Sequence, residues 1–249
     1  MKEAAFGTIF NTGTRQVETA VIVGTIVDAG NATVTVTATT LVAESPVAVV
    51  VAVLSADTAD TVARKFATAL NLEATLTDHF IITSNGQDLI LTCKLPAANN
   101  AAINIAYTNT SCTGLTPDAS SNHTNAGVAY AAVAQVSNIG GPGLALDTED
   151  VTTHDSASGW EEVVGTILRS GEVTLDLVYD PNAASHSHAT DGLADRYENK
   201  KLTRCQLTFP GPYTWTFSGY VTGYEPASPS DGALTASVTL KISGAPTLV

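Results

Sequence analysis

Three residue types of a hydrolase triad stand together at His154-Asp155-Ser156. Adjacent residues of an extended chain point to opposite sides, so these three cannot relay a proton. No Gly-x-Ser-x-Gly elbow occurs, and the motif reads as a polar loop. His186 and His188 are spaced i, i+2 and could share one strand face as metal ligands. The string Ala183-Ala184-Ser185-His186-Ser187-His188 reads more simply as a solvated linker before a helix. Gly140-Gly141-Pro142-Gly143 lacks the Lys of a P-loop and reads as a sharp turn. Glu161 and Glu162 are neighbours that diverge in direction, unlike the facing carboxylates of a glycosidase. Cys93, Cys112 and Cys205 are an odd number without Cys-x-x-Cys spacing. They read as free thiols of a reducing compartment, with a Cys93–Cys112 bridge as the alternative. Lys200, Lys201 and Arg204 form a basic cluster. It serves either as cations at a helix C-terminus or as partners for acids of a neighbouring subunit. The expectation is a protein that is not an enzyme and carries no cofactor and no metal.

The elements that would position these residues come from two contrasting stretches. The chain has 249 residues, 44% of them hydrophobic and only 14% charged. A core is affordable, and much of the surface must be Thr, Ser, Asn, Ala and Gly. Such uncharged surface loses little when buried against other copies. The net charge of −13 argues against a nucleic-acid binder and suits a surface that repels one. The N-terminal residues lack an apolar signal-peptide core, and the most apolar run, 47–54, is too short to span a bilayer.

Residues 17–127 are rich in Ala, Thr and Val, with nine acids against three bases. Both tryptophans and five of the seven tyrosines lie after residue 135. The change in texture predicts two domains. The first is a small α+β unit. Thr33-Val34-Thr35-Val36-Thr37-Ala38 alternates as a half-buried strand, and 47–54 is another, with Pro46 at its entry. Val62, Phe66 and Leu70 mark one face of a helix within 55–72, capped by Asp57 or Ser55. Strands 80–84 and 89–93 flank an Asn85-Gly86 tight turn. A last short strand covers 102–107, and 111–125 reads as a loop. In the second domain Val173, Leu175, Leu177 and Tyr179 oppose Glu172, Thr174, Asp176 and Val178. Residues 213–222 and 234–242 alternate in the same way. This predicts a sandwich or barrel with one wet side and one short helix over 189–201, with Leu193 and Tyr197 on one face.

A family resemblance rests on an ordered set of segments. Ala134-Gln135-Val136-Ser137-Asn138-Ile139-Gly140-Gly141-Pro142-Gly143-Leu144 leads into Asp150-Val151-Thr152-Thr153-His154-Asp155-Ser156 and Gly159-Trp160-Glu161-Glu162. Gly171-Glu172-Val173-Thr174-Leu175-Asp176-Leu177, Gly219-Tyr220-Val221-Thr222-Gly223-Tyr224-Glu225-Pro226 and strand 234–242 follow. In this order they resemble the major tail tube proteins of long, non-contractile-tailed bacteriophages, over residues 1–11 and 127–249. Residues 17–127 resemble a different β-rich module, inserted in or joined to phage structural proteins. The resemblance implies a discontinuous tube domain, 1–16 and 128–249, interrupted between strands 5–10 and 128–139 by an insert, 17–127, on the outer surface of the tube. The fold class expected is thus mainly β, a sandwich or barrel-forming tube domain plus a small inserted α+β domain.

The same resemblance implies a virion protein of the tail, assembled in the host cytoplasm. It implies hexameric rings stacked into a tube, and contacts with tape-measure, tail-terminator and distal tail proteins. Double-stranded DNA would pass down the lumen without specific binding, and no membrane is involved. The stretch 148–170 shows little strand pattern and would be the long loop that reaches the adjacent ring, anchored by Trp160, Val163, Val164, Ile167 and Leu168. Glu172 and Asp176, on the polar side of a core strand, would face the lumen. A competing expectation is a decoration or adhesion protein whose Ig-like domains bind a host surface.

Overall fold

A computed structural model describes residues 7–155, 160–189 and 191–249. The chain divides into two compact units, one of residues 14–129 and one of 1–13 with 130–249. The fold is mainly β, as the alternating stretches imply.

The 14–129 unit carries two small sheets and two helices. Strands β2 (Val17–Val21), β3 (Gly30–Thr37) and β4 (Val47–Val53) precede helices α1 (Ala59–Leu70) and α2 (Ala74–Thr77). Strands β5 (Phe80–Asn85), β6 (Asp88–Cys93), β7 (Asn104–Asn109) and β8 (His123–Asn125) follow. One sheet has the order β5-β6-β2-β8 and the other β4-β3-β7. The apolar face of α1 (Val62, Ala63, Phe66, Ala67 and Leu70) is buried in one core with Val34, Leu89 and Tyr107. Its cap is Thr58, whose side chain accepts from Thr61 N, and not Asp57 or Ser55. Asp57 instead pairs with Lys65 at 2.6 Å, and Ser55 Oγ donates to Val27 O. Gly86, with φ +59°, makes the β5–β6 turn. The 111–125 stretch is not all loop, because β8 pairs with β2.

The other unit is built on a seven-stranded sheet. Its strands are β1 (Ile9–Thr14), β9 (Val128–Ala132), β10 (Val136–Gly140), β13 (Glu172–Val178), β14 (Thr203–Thr208), β15 (Thr214–Ala227) and β16 (Thr235–Leu248), in the order β10-β13-β16-β15-β14-β1-β9. Of the expected first strand 5–10, residues 5 and 6 lie outside the described residues. The expected single strand 128–139 is two strands at opposite edges of the sheet. Between them Gln135 has φ +52°, a conformation that breaks a strand. The dry face holds Val173, Leu175, Leu177, Phe217, Val238 and Leu240 in a second core, as the period-two pattern requires.

Helix α3 (Leu193–Glu198) follows a turn-rich segment. It is shorter than 189–201, Thr190 lies outside the described residues, and Tyr197 is exposed while Leu193 is buried. The i, i+4 pair therefore does not form one buried face. Charged residues take its place: Asp195 and Arg196 are both buried.

Strands β11 (Ala145–Asp150) and β12 (Val163–Arg169) pair only with each other, as a two-stranded ribbon. Residues 148–150 and 163–169 of the loop expected over 148–170 are therefore strand. The ribbon has no dry face, β12 being exposed at all seven positions, so burial imposes no alternation on its sequence.

All three cysteines are free and buried, which rules out the Cys93–Cys112 bridge here. Burial pushes the Cys205 thiol up to about 12 and raises that of Cys93, so neither is a reactive thiolate at neutral pH.

Candidate assembly surfaces

The polar face of the seven-stranded sheet is built row by row through strand register. Glu172 faces Lys241, which faces Tyr220. Thr174 faces Thr239. Asp176 faces Ser237, which faces Glu225, and Asn138 adjoins Asp176 from β10. Glu172 and Asp176 are thus exposed on one face, as their i, i+4 spacing on a strand requires. Glu172 Oε1 lies 3.1 Å from Lys241 Nζ, a half-exposed pair of small energetic weight. Asp176 accepts a hydrogen bond from Asn138 Nδ2 at 3.0 Å. The cation Arg204 shares this face, donating from Nη1 to Ser218 Oγ. Its Nε is buried without a hydrogen-bond partner among the described residues.

The ribbon is the second surface. Val163, Val164, Ile167 and Leu168 are exposed by 52–82%, and Trp160, just before β12, by 78%. Leu146, register-paired with Leu168 on the same face, and Leu144, just before β11, are each 53% exposed. Arg169 Nε donates to Asp147 Oδ2 at 2.7 Å across it, and this pairing holds the Asp147 carboxyl below its ordinary range. At the ribbon's root an open hollow of about 690 Å³ is lined by Leu146, Leu168, Trp215, Pro246 and Leu248. The ribbon thus exposes much apolar surface on a two-stranded element, which is marginal alone.

The members of the basic cluster differ in their partners. Lys201 Nζ lies 2.6 Å from Asp195 Oδ2. Asp195 also accepts from Asp191 N and Asn199 Nδ2. The hydrogen bond from Lys201, with those two, lowers the Asp195 pKa despite some desolvation. Lys201 is therefore engaged within its own protomer, while Lys200 is exposed at φ +50°. Arg196, 2% exposed, donates from Nε to Asp191 O and from Nη1 to Thr203 Oγ1, tying α3 to β14. Desolvation lowers its pKa, yet a guanidinium remains charged. Sequence reasoning missed this buried cation, since an Arg on a short helix carries no burial signal.

His186 is not solvated linker: it is fully buried. Nε2 lies 2.7 Å from Ala134 O and must donate to that carbonyl. Nδ1 lies 3.3 Å from Asp180 N and 3.2 Å from Asp180 O. The ring stacks on Tyr179, and Tyr224 Oη donates to His186 O. His188 instead pairs with Glu198 at the surface. The two histidines thus take different partners, and among the described residues no three His, Cys, Asp or Glu side chains gather as a metal site. His154 and Asp155 lie exposed in a turn, and Ser156 lies outside the described residues. Glu161 and Glu162 are exposed beside the ribbon. Gly141, φ +93°, closes the turn after β10, where a Cβ would strike Glu172 O. Among the described residues no helix is long and apolar enough to cross a membrane.

The unit is strand-built, with a polar sheet face and an exposed apolar ribbon. A family model described as lambda phage tail tube protein matches residues 116–249. The match spans more than half the chain, and the chain belongs to that family: it is a structural protein of the phage tail. No curated protein matches. Among solved structures, a chain of the virion of a native gene transfer agent particle is 16% identical, with a TM-score of 0.41 over 48% of this chain and 88% of that one. A chain from the tail of an empty gene transfer agent particle is 18% identical, with a TM-score of 0.40 over 48% and 86%. One from the anti-feeding prophage baseplate is 10% identical, with a TM-score of 0.37 over 49% and 83%.

Proposed function

We propose that copies of this chain form hexameric rings that stack into the hollow tube of the phage tail, through which double-stranded DNA is delivered. The carrying observation is the exposed apolar ribbon, in a chain whose family builds tail tubes. In this reading the ribbon reaches the next ring, with Trp160, Val163, Val164, Ile167 and Leu168 as its contacts. The polar face with Glu172 and Asp176 lines the lumen. Carboxylates there repel phosphate, and the pairing of Lys241 with Glu172 leaves that cation little free to bind it. Lys200 and Arg204 meet acids of the adjacent subunit, whereas Lys201 is already neutralised by Asp195. The 17–127 insert sits on the outer wall. Tape-measure, tail-terminator and distal tail proteins contact the tube, which is assembled in the host cytoplasm.

Negative-stain microscopy of the concentrated full chain, alone and with tail-tip components, tests this. Rings or tubes with a central bore are expected. A chain that stays monomeric under both conditions would overturn the reading and favour a decoration or adhesion protein.

A further inference from the structure

The ribbon has two unlike ends. Its ladder starts at the pair Ala145 and Arg169 and runs to the pair Asp150 and Val163. Val151 N then donates to Glu162 O, which carries the pairing to the tip and sets Trp160 just past it. From Glu162 to Arg169 the strand covers about 23 Å, at ~3.3 Å per residue.

The two ends complement each other in shape. The tip offers one bulky apolar group, Trp160. The root offers the hollow of about 690 Å³, walled by Leu146, Leu168, Trp215, Pro246 and Leu248. Concave apolar sites of this size seat ring-sized groups. Charge follows the same division. The chain has no Lys or Arg between Leu144 and Leu168, and Glu149, Asp150, Glu161 and Glu162 stand exposed toward the tip. The cation at the hollow is Arg169. Asp147 Oδ2 takes its Nε and Nη2, and a guanidinium has five N–H donors, so this half-exposed side chain can serve a further carboxylate.

A protomer cannot fill its own hollow, because its Trp160 lies a ribbon's length away. We infer that Trp160 of one copy seats in the hollow of a second copy, against Trp215 and Leu248, with Glu161 or Glu162 at Arg169. This rests on the reading that ribbons join one ring to the next, and it names the surface they meet there. Trp160 is then the inserting group, and Leu168 belongs to the receiving wall.

The contact is heterologous. Tip and hollow are different surfaces, so each copy gives its tip to one neighbour and its hollow to another. Rotation and translation along one axis satisfy it without any two-fold. A buried indole removes about 150–250 Å² from water. All the copies of a ring engage at once, so these small contacts reinforce one another.

Cross-linking of assembled tubes tests this. The native cysteines are buried and give little background. Glu161→Cys sets a thiol beside Trp160, and Ala245→Cys sets one on the lining of the hollow; both positions are exposed. Tubes copolymerised from the two variants and treated with a short bismaleimide should give covalent dimers several-fold above tubes of either variant alone. A chain carrying both changes should give trimers and longer products, as a head-to-tail contact does and a two-fold contact does not. Ala245→Trp fills the hollow from within. It should keep the wild-type circular dichroism and cut the yield of sedimenting tubes several-fold. Normal tubes by negative stain without the cross-linking gain, or full assembly of Ala245→Trp, would overturn the seating of Trp160 while leaving ring stacking intact. A wild-type chain that forms no tubes would overturn the stacking reading, and this contact with it.

Discussion

At Trp160, 78% of the surface is exposed, an uncommon state for an indole in a protein that holds Phe10, Phe66 and Phe217 fully buried. Its removal should cost the fold little. In an assembled tube a buried aromatic anchor is worth about 2 kcal/mol or more. Trp160→Ala should therefore keep the wild-type circular dichroism and melting temperature but sediment with fewer stacked rings. Unfolding of the variant would place Trp160 in the core instead. Asp195 makes a different prediction. Its hydrogen bond from Lys201, supported by Asp191 N and Asn199, holds its folded pKa below 3.8. A depressed carboxyl contributes stability above its unfolded pKa and loses it as pH falls through the folded value. Asp195→Asn should lower the melting temperature at pH 7 and flatten its fall below pH 3.8. An unchanged acid limb would show that Asp195 carries no part of it.

At the scale of elements, legibility followed burial. Strands β13, β15 and β16 have one dry and one wet face, so their alternation in sequence located both the strands and the faces of Glu172 and Asp176. The ribbon has two wet faces, and its strands left no periodic trace, although its apolar residues were visible as residues. The buried Arg196 and His186 were illegible for a related reason. Their burial depends on Asp191, Thr203 and Ala134, partners that only the fold brings near. Strands β1 and β9 flank the 17–127 segment in sequence and lie side by side in the sheet. Neighbouring strands are about 4.8 Å apart, so a short Gly/Ser bridge can replace the segment. The sheet core, with Phe10, Leu175, Leu207 and Phe217, draws no residue from 17–127. Deletion of 17–127 should give a soluble chain that still assembles by electron microscopy. An insoluble product would show that the two units depend on one another to fold.

For the molecule as a whole, charge and shape set the last expectation. The chain carries −13, but its polar sheet face is only mildly acidic. Glu172, Asp176 and Glu225 stand against Lys241 and Arg204, all placed there by register. Glu172 is partly offset by Lys241, so in the proposed tube the row of Asp176 and Glu225 would carry most of the repulsion. In the proposed tube, a small excess of carboxylate repeated around each ring would suffice, because DNA passing this face would need a wall without free cations rather than a strongly charged one. Changing both Glu172 and Asp176 to Lys reverses this. It adds two cations per subunit and releases Lys241 from its partner, so each ring offers many contacts to phosphate. Both side chains point into water, so particles should still assemble. DNA ejection should slow, and most strongly at low ionic strength, where screening is weakest. Ejection kinetics at two salt concentrations measure this directly. Unchanged rates at both, in particles with normal tails, would place this face of the sheet away from the bore.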